Sequence, residues 1–195
     1  MSLRLPAAER REQLLTTSLL VFARDGYHGT SMNDVADAAG VTKPVLYQHF
    51  DSKHDLYLAL LEDNGDNLAG IIAKATSEAE GPHDQVRHGF EAYFRWVAHE
   101  PAAFQLLFGG GGRRNDEFAE AIRRVEDRIA SAIAPLIRAD IDTDHQHTLA
   151  YGIIGLAETV ARRLIANGSP FDPDVVSTQV ADLVWAGLRT VHRVH

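Results

Sequence analysis

Apolar residues recur at three- and four-residue spacing along nearly the whole 195-residue chain, and the alternation expected of a half-buried strand is almost absent. A 3.6-residue period gives each segment one apolar face, which must be covered by another helix. The chain is therefore expected to be all-α. Glycine and proline divide it into about nine helices. The first opens near Pro6, carries Leu15, Leu19 and Phe22, and closes at Gly26, where a residue free to adopt positive φ is wanted. Two short helices follow, one from Ser31 to Gly40 and one opened by Thr42 with Pro44 in its first turn. Ser52 and Asp55 form a capping pair for a long helix through Leu56, Leu60 and Leu61.

Further breaks fall at Glu80-Gly81-Pro82 and Glu100-Pro101. Between them Val86, Phe90, Tyr93, Phe94 and Val97 share one helical face, and a short apolar helix follows Pro101. Gly109 to Gly112, with Arg113 and Arg114, reads as a loop. The next helix carries Phe118, Ile122, Val125, Ile129 and Ile133, and Pro135 ends or kinks it. Two long helices, roughly 144–167 and 173–194, complete the chain.

Composition excludes several functions. Cysteine is absent, which removes disulfides, thiolate metal sites and a cysteine nucleophile, and fits a reducing cytoplasm. No apolar run approaches the 18 or so residues of a membrane span, and the N-terminus lacks the pattern of a secretion leader. His145 and His147, beside Asp142 and Asp144, fall on different helical faces and do not converge as metal ligands. No metal and no cofactor are expected. The net charge is −8, but residues 1–55 carry only −1 of it and the remaining 140 residues carry −7. A footprint on a phosphate backbone would have to be local.

Such a footprint is legible between Thr30 and Lys53, TSMNDVADAAGVTKPVLYQHFDSK. Two short helices meet at a tight turn, Ala39-Gly40-Val41, with Ala36 small where they approach. Met32, Val35, Ala39, Val41, Leu46 and Phe50 supply a core against the first helix. The outer face of the second helix keeps Lys43, Tyr47, Gln48 and His49. A helix of this size enters a major groove, where Gln and Lys read base edges. Ser31, Thr42 and Ser52 place hydroxyls and helix N-termini where phosphates bind.

The stretch Phe22 to Leu56 resembles the tetracycline-repressor (TetR-type) family of bacterial transcriptional regulators. The resemblance rests on Gly26-Tyr27, Thr30-Ser31, Ala36, Ala39, Gly40, the run Leu46, Tyr47, His49, Phe50, and Lys53. Lys43-Pro44-Val45 departs mildly from the family pattern. The resemblance implies an all-helical homodimer, with a helix-turn-helix domain at 1–55 and a variable ligand-binding and dimerisation domain at 56–195. It implies DNA contacts from Thr30, Ser31, Thr42, Lys43, Pro44, Tyr47, Gln48, His49 and Lys53. A lysine at a helix start opposes the helix dipole, which also favours a phosphate role for Lys53.

The second part of the chain is less specific. Phe90, Tyr93, Phe94, Trp96, Phe104 and Phe108 concentrate aromatic bulk between two breaks. They are expected as core, or as the lining of a mostly apolar effector pocket, with Arg95, His99 or Glu158 as polar anchors. The last two helices are apolar over more than one face: Ile153, Leu156 and Val160 on one, Val180, Leu183 and Gly187 on the other. One face packs within the subunit and one on a partner, giving an intersubunit four-helix bundle. The expected function is a ligand-responsive repressor, with double-stranded operator DNA, a small-molecule effector and a second copy of the chain as partners. A helical enzyme lacks a converging catalytic constellation, and a ligand carrier without DNA binding leaves Thr30–Lys53 unexplained.

Overall fold

The computed structural model describes residues 6–109 and 116–191. The expected glycine loop beyond Gly109, including Arg113 and Arg114, and the end of the last expected helix lie outside the described residues. Among the described residues there are nine α-helices and no strand. They are α1 (Ala7–Gly29), α2 (Met32–Ala38), α3 (Lys43–Tyr47), α4 (Lys53–Ser77) and α5 (Pro82–His99). Then come α6 (Pro101–Phe108), α7 (Asp116–Ile133), α8 (Thr143–Ala166) and α9 (Pro173–Leu188).

The breaks have local causes. Gly26 interrupts α1 with φ +71°, a conformation costly for a residue with a Cβ. Pro82, Pro101 and Pro173 open their helices, where a missing N–H removes no bond. Pro135 lies in the 3-10 turn Ala134–Leu136 that ends α7. Asp142 caps α8 by accepting from the His145 amide at 2.8 Å, and Asp172 caps α9 by accepting from the Asp174 amide at 2.9 Å.

The chain divides into two compact units, Met1–Asn64 with Ala102–Ile122, and Gly65–Pro101 with Arg123–His195. A cut after residue 55 would fall in the first turn of α4, which runs unbroken through Ser77. In the first unit Leu14, Phe22, Val35, Leu46, Leu56, Leu60 and Leu61 are buried. Phe118 joins this core as the centre of an aromatic cluster, with ring centroids 4.7 Å from Tyr27 and 4.6 Å from Tyr57.

In the second unit α5 packs on α9 and α8. Ala130, Ala134, Ile137 and Ala150 form a buried cluster with Ile133, Leu149, Ile153 and Leu188 packed against it. Gly65 of α4 meets Val125 of α7 so closely that a Cβ there would lie 2.3 Å from Val125 Cγ2. Only glycine fits that crossing.

Candidate nucleic-acid interface

α2 and α3 owe their geometry to two local devices. At the start of α2, Ser31 Oγ accepts from the Asp34 amide at 3.3 Å, while the Ser31 amide donates to Asp34 Oδ2 at 2.7 Å. Hydrogen bonding from Ser31 holds the Asp34 carboxyl below the ordinary carboxylate range. At the end of α2, Gly40 takes φ +64°; its amide donates to Asp37 O at 3.1 Å, and the Val41 amide donates to Ala36 O at 3.0 Å. That pair of bonds is a Schellman cap, which turns the chain sharply into α3. Leu46, with no exposed surface, and Phe50 anchor the inner face of α3.

The outer face of α3 is thereby fixed. Lys43, Pro44, Tyr47 and Gln48 are exposed, Tyr47 at 42%, and His49 is half-buried against Phe50. The Lys43 ammonium lies 5.9 Å from the Tyr47 ring centroid, a cation–π pair one turn apart. Ser31 and Thr42 are exposed at the N-terminal ends of α2 and α3. Thr42 is the N-cap residue of α3, yet its hydroxyl makes no cap hydrogen bond.

Two of the expected contact residues are engaged within the protein. Thr30 is 2% exposed and its hydroxyl donates to the Gly26 carbonyl at 2.9 Å, so the kink in α1 draws that side chain inward. Lys53 is half-buried, and its ammonium donates to Tyr27 O at 2.8 Å and to Thr30 O at 2.9 Å. The end of α1 leaves carbonyls without helical partners, and Lys53 supplies the donors. Periodicity showed neither, because both depend on which loop carbonyls fold back onto the motif.

The candidate effector residues fall in both units. Phe104 and Phe108 pack together in the first, with centroids 5.4 Å apart. Phe90, Tyr93 and Phe94 pack along α5 in the second. All five are buried. Glu158 of α8 is 8% exposed, and its Oε1 accepts from Arg162 Nε at 3.0 Å. Burial first, and the Glu158 carboxylate second, push the Tyr93 hydroxyl above the ordinary tyrosine range. Arg95 and His99 line an open cleft of about 350 Å³ in the second unit, together with Asn67, Ile71, Ala92, Trp96 and Glu100. Asn67 and Ile71 were not anticipated as lining, since their helix carried no site signal.

On α9 Leu183 is 63% exposed and Gly187 is exposed; on α8 Ile153, Leu156 and Val160 are half-buried. Gly152, Gly155 and Gly187 have open space where a Cβ would stand. Val180, expected on the partner-facing surface, is instead 7% exposed on the buried side of α9 with Ser177 and Ala181. Among the described residues no cluster of three histidine or carboxylate side chains is placed to hold a metal, and no helix is long and apolar enough to cross a membrane.

Comparison with known proteins aligns these two regions separately. Residues 14–60 match the family model for bacterial regulatory proteins of the tetR family. Residues 82–187 match the tetracyclin repressor-like C-terminal domain. The HTH-type transcriptional activator FasR of Mycolicibacterium smegmatis is 33% identical over 190 residues, covering 96% of this chain and 87% of that protein. The HTH-type transcriptional repressor KstR2 of the same organism is 28% identical over 191 residues, covering 93% and 91%. In fold, the chain resembles the transcriptional regulator FadR of Bacillus subtilis, solved in complex with stearoyl-CoA, with a TM-score of 0.78 at 16% identity, covering 90% of this chain and 98% of that one.

Proposed function

The chain belongs to the tetR family of bacterial transcriptional regulators, and from that premise we propose that it is a ligand-responsive repressor that binds a pseudo-palindromic operator as a homodimer. The observation that carries this reading is the outer face of α3. A capping box and a Schellman turn hold a short helix whose inner face is buried at Leu46 and Phe50, leaving Lys43, Tyr47 and Gln48 exposed together. Lys43 and Gln48 suit base edges, while Tyr47, Ser31, Thr42 and His49 suit phosphates. The acidic remainder of the chain repels DNA mildly and leaves binding to this face.

Dimerisation through α8 and α9 is supported by the exposed Leu183 and by the uncovered glycines on both helices. A two-fold axis would set two α3 helices on successive major grooves. The effector is a small, mostly apolar molecule bound in the second unit. It acts by preferring one dimer geometry over another; a hundredfold change in operator affinity requires a coupling of about 2.7 kcal/mol. Because FadR carries stearoyl-CoA on the same fold, long acyl thioesters belong among the first probes.

Repression, rather than activation, is the part that relatives divide on, since FasR is an activator and KstR2 a repressor. A gel shift with the DNA upstream of the chain's own reading frame, combined with a reporter from that promoter, tests both. Retarded DNA and a reporter that rises on deletion of the gene support the proposal. No retardation removes DNA binding, and a reporter that falls on deletion makes the protein an activator.

A further inference from the structure

α5 carries two buried hydrogen-bond donors, Tyr93 Oη and Trp96 Nε1, that meet no acceptor among the described residues. Tyr93 is 7% exposed and Trp96 is 4% exposed, and neither Tyr93 Oη nor Trp96 Nε1 has a hydrogen-bond partner among the described residues. The two residues are three positions apart, with ring centroids separated by 6.3 Å and planes inclined at 35°. Folded proteins rarely leave such groups unmet, because burial without a partner forfeits their bonds to water. A single orphan invites a local explanation. Two side by side on one helix mark a place where an acceptor from outside the protein is received.

The surroundings define that acceptor. Trp96 also lines the cleft of about 350 Å³, so the pair adjoins an opening of ligand size. Ile71, Ala92 and Trp96 give the cleft an apolar wall, so the bulk of the occupant is apolar. Trp Nε1–H can only donate, and a tyrosine hydroxyl can donate as well, so both suit one oxygen with two lone pairs. The charged groups nearest the Tyr93 hydroxyl are Glu158 and Arg162, and Arg95, His99 and Glu100 line the cleft beside Trp96. Arg162 is engaged with the Glu158 carboxylate through both Nε and Nη2, and Arg95 donates to the Asp174 carboxylate at 2.9 Å, so among the described residues each of these arginines already has its anion. A carboxylate ligand would be set beside Glu158 without compensation.

We propose that Tyr93 and Trp96 are the polar anchor of the effector site, and that they receive the oxygen of a neutral carbonyl (a ketone, ester or thioester) on an otherwise apolar molecule. This rests on the reading of the second unit as an effector domain. It adds the donor pair and the neutral charge of the group that pair accepts.

The test uses the full-length protein and two matched probe series. One is methyl ketones from heptan-2-one to pentadecan-2-one. The other is the corresponding 2-methyl-1-alkenes, in which a methylene replaces the carbonyl oxygen. Binding is followed by tryptophan fluorescence and calorimetry. The best ketone is expected to bind about tenfold more tightly than its alkene, the effect of two satisfied donors. Tyr93→Phe and Trp96→Phe should each remove most of that preference while leaving alkene affinity in place. The free Tyr93→Phe protein should melt at the same temperature as the parent or higher, because an unpaired hydroxyl is gone.

The proposal is overturned by equal affinity for ketone and alkene, by no saturable binding of any ketone, or by a Tyr93→Phe protein that melts several degrees lower. The last would mean that the hydroxyl has a partner inside the protein. Tight binding of the fatty acid anions with no ketone preference also overturns it. A gel shift on the same samples keeps the two questions apart, since DNA binding without ketone preference leaves the regulator reading standing, and the converse leaves the donor pair standing.

Discussion

The ammonium of Lys53, in the first turn of α4, donates to the carbonyl of Tyr27, 26 residues earlier, at 2.8 Å, and lies 4.3 Å from the centre of the Tyr27 ring. It ties the start of α4 to the end of α1 and supports Thr30 through a second carbonyl. A lysine at a helix start is mildly unfavourable on dipole grounds. Here two carbonyls and an aromatic face offset that cost.

Replacing Lys53 with Met should therefore lower stability by about 1–3 kcal/mol, since charge-assisted bonds to buried carbonyls are lost. Affinity for operator and for unrelated duplex should fall together. The slope of log affinity against log salt should stay unchanged, because the ammonium is directed at carbonyls and not at a phosphate. Urea denaturation and titrations at two salt concentrations measure these quantities. A slope reduced by about one would return Lys53 to the phosphate backbone.

The Lys53–Tyr27 contact also marks where the sequence stops being readable. Helix boundaries were accessible because their causes are local: Gly26 and Gly40 take positive φ, Ser31 and Asp34 cap each other, and prolines sit at helix starts. The face of α3 followed from them, since Leu46 and Phe50 fix which side is buried. The internal partners of Thr30 and Lys53 were not legible because they are carbonyls chosen by the tertiary fold. The burial of Val180 was not legible because a helix apolar all round does not say which stripe its own protomer covers. The need for glycine at position 65 is invisible until Val125 stands beside it.

Gly65 and Gly70 lie in the same helix and should respond oppositely to alanine. At Gly65 a Cβ would meet the Val125 side chain inside contact distance, so Gly65→Ala should destabilise by about 1–3 kcal/mol. Adding Val125→Ala should recover part of that loss. Gly70 is exposed with nothing nearby, so Gly70→Ala should stabilise by about 0.5–1 kcal/mol through helix propensity. Denaturant midpoints for the three variants decide it; a neutral Gly65→Ala would mean that the crossing yields easily.

Alkaline pH should weaken the first unit through Tyr57. Burial, with a smaller contribution from Tyr27, pushes its hydroxyl up to about 12. The unfolded chain ionises this phenol near pH 10, so the folded state binds the extra proton between the two values. The contribution of Tyr57 to stability is intact below about pH 10 and is lost as the pH rises toward 12. Tyr57→Phe should flatten the fall in denaturation free energy between about pH 9.5 and 11 relative to the parent. Parallel slopes in the two proteins would show that Tyr57 titrates normally.

Leu183 offers a clean test of the dimer, because it is 63% exposed in the protomer and its replacement should scarcely affect folding. Leu183→Glu combined with Leu156→Glu should give a monomer by sedimentation equilibrium and abolish operator binding. Gly187→Arg, placed where there is open space, should act in the same direction. An unchanged dimer would locate the interface elsewhere on the surface.

Within α3 the division between affinity and specificity should separate Gln48 from Tyr47. Both side chains are exposed, at opposite ends of one peptide bond. Gln48, just past the end of the helix, has an amide able to pair bidentately with a base edge. Gln48→Ala should cost about 1–3 kcal/mol on the operator alone and relax preference at one or two base pairs in each half-site. The affected positions should recur with two-fold symmetry, because a dimer presents the residue twice. Tyr47→Phe removes only a hydroxyl suited to a phosphate oxygen, so it should weaken operator and scrambled duplex by similar factors. It should also leave the Lys43 ring contact intact, since that contact needs the ring and not the hydroxyl. Titrations of both variants on both duplexes provide the four affinities required. Equal losses for Gln48→Ala on the two duplexes, or an operator-specific loss for Tyr47→Phe, would reverse the roles assigned to these neighbours.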